Sequence, residues 1–120
     1  MANRNFNRMQ SLNKEVKVIC GRFDDADNTV KGLGFSAANS GTGVYTITLD
    51  DKYNHLLCCN ANVMSTAGTD DYVVSIVSED VDGAKTVVLH TAVAGTLTDL
   101  GSGDEIHFSL FLQNSSTPAK

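Results

Sequence analysis

The stretch Gly43-Val44-Tyr45-Thr46-Ile47-Thr48-Leu49 alternates without a break. Successive side chains of a strand point to opposite faces, so Tyr45, Ile47 and Leu49 share one face and Val44, Thr46 and Thr48 the other. Its β-branched and aromatic residues suit a half-buried pleated surface. Working outward, further β-rich runs occupy residues 56–64, 72–78, 86–92 and 106–112, with a weaker, glycine-containing one at 31–37. Six strands within about 85 residues predict an all-β chain, an antiparallel β-sandwich or open barrel.

Turn chemistry separates the runs. Asp82-Gly83 lies between two of them and predicts a type I′ hairpin, because both residues tolerate the positive φ that this turn demands. Ser40-Gly41-Thr42-Gly43, Ala67-Gly68-Thr69-Asp70 and Gly101-Ser102-Gly103-Asp104 mark three more reversals. The acidic connector Asp24-Asp25-Ala26-Asp27-Asn28 leads into the sheet, and the polar end carries the only proline, Pro118. The expected layout is a basic N-terminal arm over residues 1–23, a β-sandwich domain over 24–114 and a flexible tail over 115–120.

The arm is electrostatically opposite to the rest. Residues 1–23 carry five Lys/Arg and one Glu, a net +4, whereas residues 24–120 carry a net −9 in a chain of net charge −5. Met9, Leu12, Val16, Ile19 and Phe23 are spaced by 3, 4, 3 and 4 residues, which predicts a short helix with one apolar seam, fraying near Gly21. Glu15-Val16-Lys17-Val18-Ile19-Cys20 also alternates with period two, the competing strand reading. Two heptads are too few for a stable isolated coiled coil, so the arm is expected to order against a partner. Arg4, Phe6, Arg8, Met9, Leu12, Val16 and Lys17 are its candidate partner-binding residues. The arm's cations could meet phosphates and Phe6 could stack on a base, but the acidic body opposes nucleic acid and the chain carries no recognised nucleic-acid module. An acidic protein surface fits both the charge and the apolar stripe.

The body has no Trp and only 7% aromatics, so its core must come from Val, Ile, Leu and a few Phe, and association would help to cover it. Cys20, Cys58 and Cys59 are odd in number; the last two point to opposite faces of a strand, and all three read as reduced, small core-type residues. No run approaches the roughly 18 apolar residues of a membrane span, and the start lacks a secretory apolar segment. The expectation is a soluble protein made in the cytoplasm.

Candidate chemistry is sparse. His55, Cys58 and Cys59 are near one another, yet structural zinc wants four ligands in paired short spacings, and Cys20, His90 and His107 are far away in sequence. The same residues give a Cys/His/Asp set only on paper, with no nucleophile-elbow or cysteine-protease signature. Asp80-Val81-Asp82-Gly83 and the acidic connector lack the spacing and distal Glu of an EF-hand. Gly32-Leu33-Gly34 and Gly41-Thr42-Gly43 precede strands, whereas a phosphate cradle must open a helix. The chain is therefore expected to be no enzyme and to use no catalytic residue, metal or cofactor. The rival enzymatic reading, a small hydrolase, would use His55 or His107 with Asp50, Asp51 or Asp104.

The opening Met-Ala-Asn-Arg-Asn-Phe-Asn-Arg-Met-Gln-Ser-Leu-Asn-Lys-Glu-Val, the segment Gly32-Leu-Gly-Phe-Ser, the run from Gly43 through Leu57 and the closing Phe111-Leu-Gln-Asn-Ser-Ser together resemble small tailed-bacteriophage virion proteins. The resemblance spans nearly the whole chain and rests on structural rather than catalytic motifs. It implies a capsid decoration, or cement, protein: a small β-rich homotrimer on the outer surface of the virion head, bridging subunits of the major capsid protein. The alternative it leaves open is a trimeric tail-fibre or receptor-binding tip, which copy number per virion separates from a decoration protein.

Overall fold

The computed structural model describes residues 16–25, 30–66 and 71–113, and these fold as two antiparallel sheets packed into a β-sandwich. In chain order the strands are β1 (Val16–Asp24), β2 (Val30–Gly32), β3 (Phe35–Gly41), β4 (Val44–Leu49), β5 (His55–Met64), β6 (Tyr72–Asp80), β7 (Thr86–Val93), β8 (Thr96–Leu97) and β9 (Glu105–Gln113). One sheet has the order β2-β1-β9-β5. The other has the order β3-β4-β7-β6, with β8 paired to β7. The chain changes sheet after β2, β4, β5 and β8.

Alternation builds the core as the opening stretch predicts. Tyr45, Ile47 and Leu49 of β4 are buried against Ile106, Phe108, Leu110 and Leu112 of β9, with Val87 and Leu89 of β7 alongside. Aromatic rings fill the middle: Phe23 and Tyr45 are 5.9 Å apart, Phe23 and Phe108 5.9 Å, and Phe35 meets Phe108 edge-on at 4.8 Å. Tyr45 satisfies its buried hydroxyl by accepting from Leu100 N at 2.9 Å and donating to Asp25 Oδ1 at 2.9 Å. Burial holds that phenol well above its ordinary range, so it stays a donor.

Residues 16–23 correct the helical seam. They form β1, paired in unbroken register with β9 from Val16↔Gln113 to Asp24↔Glu105. The competing period-two reading wins because Ile19 and Phe23 both lie on the inner face, with Phe23 fully buried. Gly21 between them is not a frayed end: a Cβ there would stand 2.5 Å from the Phe35 ring and from Lys31 O. Residues 16–23, inside the span assigned to the arm, are therefore part of the sandwich, and residues 1–15 lie outside the described residues.

The weak run at 31–37 divides into β2 and β3, the chain passing between sheets at Leu33-Gly34. The hairpin at Asp82-Gly83 joins β6 to β7 as expected, but not by a type I′ turn. Lys85 N donates to Asp80 O at 2.7 Å, Ala84 N donates to the Asp80 carboxylate at 3.0 Å, and the positive φ falls on Lys85. This longer turn drops Val81 into the core. The two-residue loop with positive φ at both positions is Ala94-Gly95, between paired Val93 and Thr96, which is the type I′ geometry. The reversal at residues 67–70 and the tail from residue 114 lie outside the described residues.

Candidate docking surface

The residues weighed for chemistry are scattered by the fold. Cys58 and Cys20 stand exposed on the outer face of the β2-β1-β9-β5 sheet, correcting the core-type reading for these two. Cys59, one residue on, faces inward opposite Leu110, and burial pushes its thiol up to about 11, which leaves it a weak nucleophile at neutral pH. His107 lies in register with Arg22 and Asn62 on the outer face, while His90 sits on the other sheet. Among the described residues no group of three or more His, Cys, Asp or Glu side chains is arranged to hold a metal ion.

Of the carboxylates offered to a hydrolase, Asp50 and Asp51 stand exposed after β4, and Asp104 is spent on a loop. Asp104 is buried and accepts from Thr66 N at 2.9 Å, Thr66 Oγ1 at 3.1 Å and the Tyr72 hydroxyl at 3.1 Å. The Thr66 amide, aided by these hydroxyls, holds it below the usual carboxylate range. Asp99 likewise accepts from Gly43 N at 2.7 Å and Asn39 Nδ2 at 2.9 Å, which lowers its pKa. Gly43 is required there: its φ is 68°, and a Cβ would meet Thr91 O at 2.6 Å and Thr98 N at 2.8 Å. Both carboxylates act as fixed acceptors that tie loops to strands.

The candidate arm residues divide. Val16 and Lys17 belong to β1, opposite Gln113 and Leu112, so they are sandwich residues rather than parts of a separate arm. Arg4, Phe6, Arg8, Met9 and Leu12 lie outside the described residues.

What the fold does assemble is an uncharged sheet face. The register of β3, β4, β7 and β6 lines up the outward side chains in rows: Ser36, Thr48 and Thr86; then Ala38, Thr46, Val88 and Ser78; then Val44, His90 and Ser75; then Leu97, Ala92 and Val73. Ser40 joins this face through a 3.1 Å hydrogen bond between its hydroxyl and that of Thr46. No Lys, Arg, Asp or Glu interrupts the rows until Asp80 at the corner, whose carboxylate is turned to its own loop. The chain as a whole is 19% charged, and the opposite sheet carries Arg22, Asp24 and Glu105 on its outer face, with Arg22 and Glu105 paired at 3.8 Å.

Such a face has the physical properties that suit a contact with protein. Charges are depleted at the centres of interfaces because each must be desolvated and re-paired there. Thr and Val are stiff at χ1, so pressing them against a partner costs little side-chain entropy. Strands about 4.8 Å apart and rows about 7 Å apart make a patch near 15 by 20 Å, roughly 300 Å². A standard stable interface needs about 800 Å² per partner. One copy of this face is a weak contact, and only repetition or a second contact makes it strong.

Comparison of the chain with family models, curated proteins and solved structures finds no match.

Proposed function

We propose that this chain is a structural lattice-binding protein, a decoration protein of a bacteriophage capsid. It acts as a homotrimer on the outer surface of the head and bridges subunits of the major capsid protein. The observation that carries the reading is the charge-free outer face of the β3-β4-β7-β6 sheet on an otherwise acidic body. That face makes the flat, weak contact, and three copies held together multiply it into firm attachment. Residues 1–15 supply a second contact through Arg4, Arg8 and Lys14 with Phe6, Met9 and Leu12. The sequence resemblance to small virion proteins points the same way. The reading calls for no catalytic group, and the carboxylates Asp99 and Asp104 serve the loops instead.

A charge placed in the middle of the face tests it. Thr46→Glu and Val88→Lys each put an ion where the contact excludes water, on side chains that do not reach the core. Bound to purified heads stripped of this chain, each variant should lose at least tenfold in affinity while melting as the wild type does. Undiminished binding by both variants would overturn the assignment of this face.

A further inference from the structure

Strand β6 ends the β3-β4-β7-β6 sheet, and its outer edge is unpaired among the described residues. It is also the most exposed of the long strands: seven of its nine residues are exposed and none is buried, whereas β4, β7 and β9 bury alternate residues. Residues 72–76, Tyr-Val-Val-Ser-Ile, run in regular register with β7 from Val93 to Leu89, and the register shifts only after Ile76, where Val77 is the extra residue of a bulge. This stretch holds no charge, proline or glycine. Native sheets guard their edges with lysine, proline, bulges or brevity, and a regular, β-branched stretch without them is a template for another strand.

The stretch is complementary to itself. Directly opposite residues of an antiparallel pair share a face, so β6 can meet β6 of a second copy only about a residue, never between two. Centring on Val74 sets Tyr72 opposite the second copy's Ile76 and Val73 opposite its Ser75, which uses the whole regular stretch. Asp71 then falls opposite Val77, and Glu79 and Asp80 lie beyond the paired span. Centring on Ser75 instead sets Asp71 against Glu79, two like charges face to face, and runs the pairing into the bulge. The contact is made by the backbone edge, and the side chains flank it on the two faces of the sheet. Val73 and Ser75 point outward, opposite Ala92 and His90, while Val74 and Ile76 point inward, opposite the buried Thr91 and Leu89. Ile76, 48% exposed although it points inward, gains the second copy's Tyr72 as its neighbour.

We propose that β6 pairs antiparallel with β6 of a second copy about a two-fold axis at Val74, making one sheet continuous through both copies. The axis is perpendicular to the sheet, so the two uncharged outer faces come to lie side by side and the flat area on offer doubles. Being two-fold, the pairing cannot close a three-membered ring; in a trimer it links one ring to the next. It concerns association between copies and stands or falls separately from what the outer face binds.

Cysteines placed in the pairing register test it, in the full-length chain with the exposed Cys20 and Cys58 changed to serine. Val73→Cys and Ser75→Cys, mixed in equal amounts and oxidised, should join as a mixed disulfide at least tenfold faster than either variant joins to itself. Opposite positions lie about 5 Å apart and diagonal ones about 7–8 Å, beyond the reach of a disulfide. Ile76→Lys, an inward-pointing charge on the edge, should abolish that preference when added to both, with circular dichroism melts as the folding control. A mixture that joins no faster than its components overturns the proposal whatever Ile76→Lys does. So does a preference that persists in a folded pair carrying Ile76→Lys.

Discussion

Asp104 is the residue that most plainly separates structure from chemistry. As one carboxylate in an acidic chain it can be enrolled on paper as the partner of a histidine. In the fold it gathers Thr66 and Tyr72 onto the 101–104 turn, and Gly101 N donates to the Tyr72 hydroxyl at 3.1 Å to complete the knot. Its pKa is lowered in the folded state, first by the Thr66 amide, so its contribution to stability is full above the unfolded value near 4. It is lost as pH falls through the lower folded value. Asp99, lowered first by the Gly43 amide, acts in the same direction. Asp104→Asn should therefore cost about 1–2 kcal/mol at pH 7, with the difference from wild type shrinking as pH drops below about 4. Urea unfolding at a series of pH values reads this directly, and parallel curves for the two proteins would contradict it.

At the scale of elements, the strands were legible wherever one face is uniformly apolar. Residues 43–49, 86–92 and 106–112 alternate cleanly because they become β4, β7 and β9, the strands with a buried face along their whole length. β1 was obscured for a physical reason. Its inner face reads Lys17, Ile19, Gly21 and Phe23, and the glycine is there to admit the Phe35 ring from β3, a tertiary demand that no local pattern carries. Turns divided likewise. Asp82-Gly83 correctly marks a hairpin, but Asp80 captures three backbone amides of the loop, those of Gly83, Ala84 and Lys85, and the positive φ falls on Lys85. Ala94-Gly95 gave little signal, since alanine disfavours the left-handed region that it occupies at φ 52°. Ala94→Gly should relieve that strain and raise stability by about 0.5–1 kcal/mol, seen as a higher melting temperature. An unchanged or lower value would count against the turn geometry.

At the scale of the molecule, half of the candidate site was present in the sequence and half was not. Alternation already grouped Val44, Thr46 and Thr48 on one face of their strand, and the charge split already set a basic arm against an acidic body. That Ala38, Thr46, Val88 and Ser78 stand side by side is a matter of strand order, which no single run encodes. The uncharged face exists only once the β3-β4-β7-β6 sheet is assembled. In the reading proposed above, the body binds weakly at one flat surface and gains strength from being repeated. Such a protein works by number. The most direct measurement is the stoichiometry of this chain against the major shell protein in purified particles. Hundreds of copies per particle, in fixed ratio to the shell, is the predicted result, and tens or fewer would contradict the account.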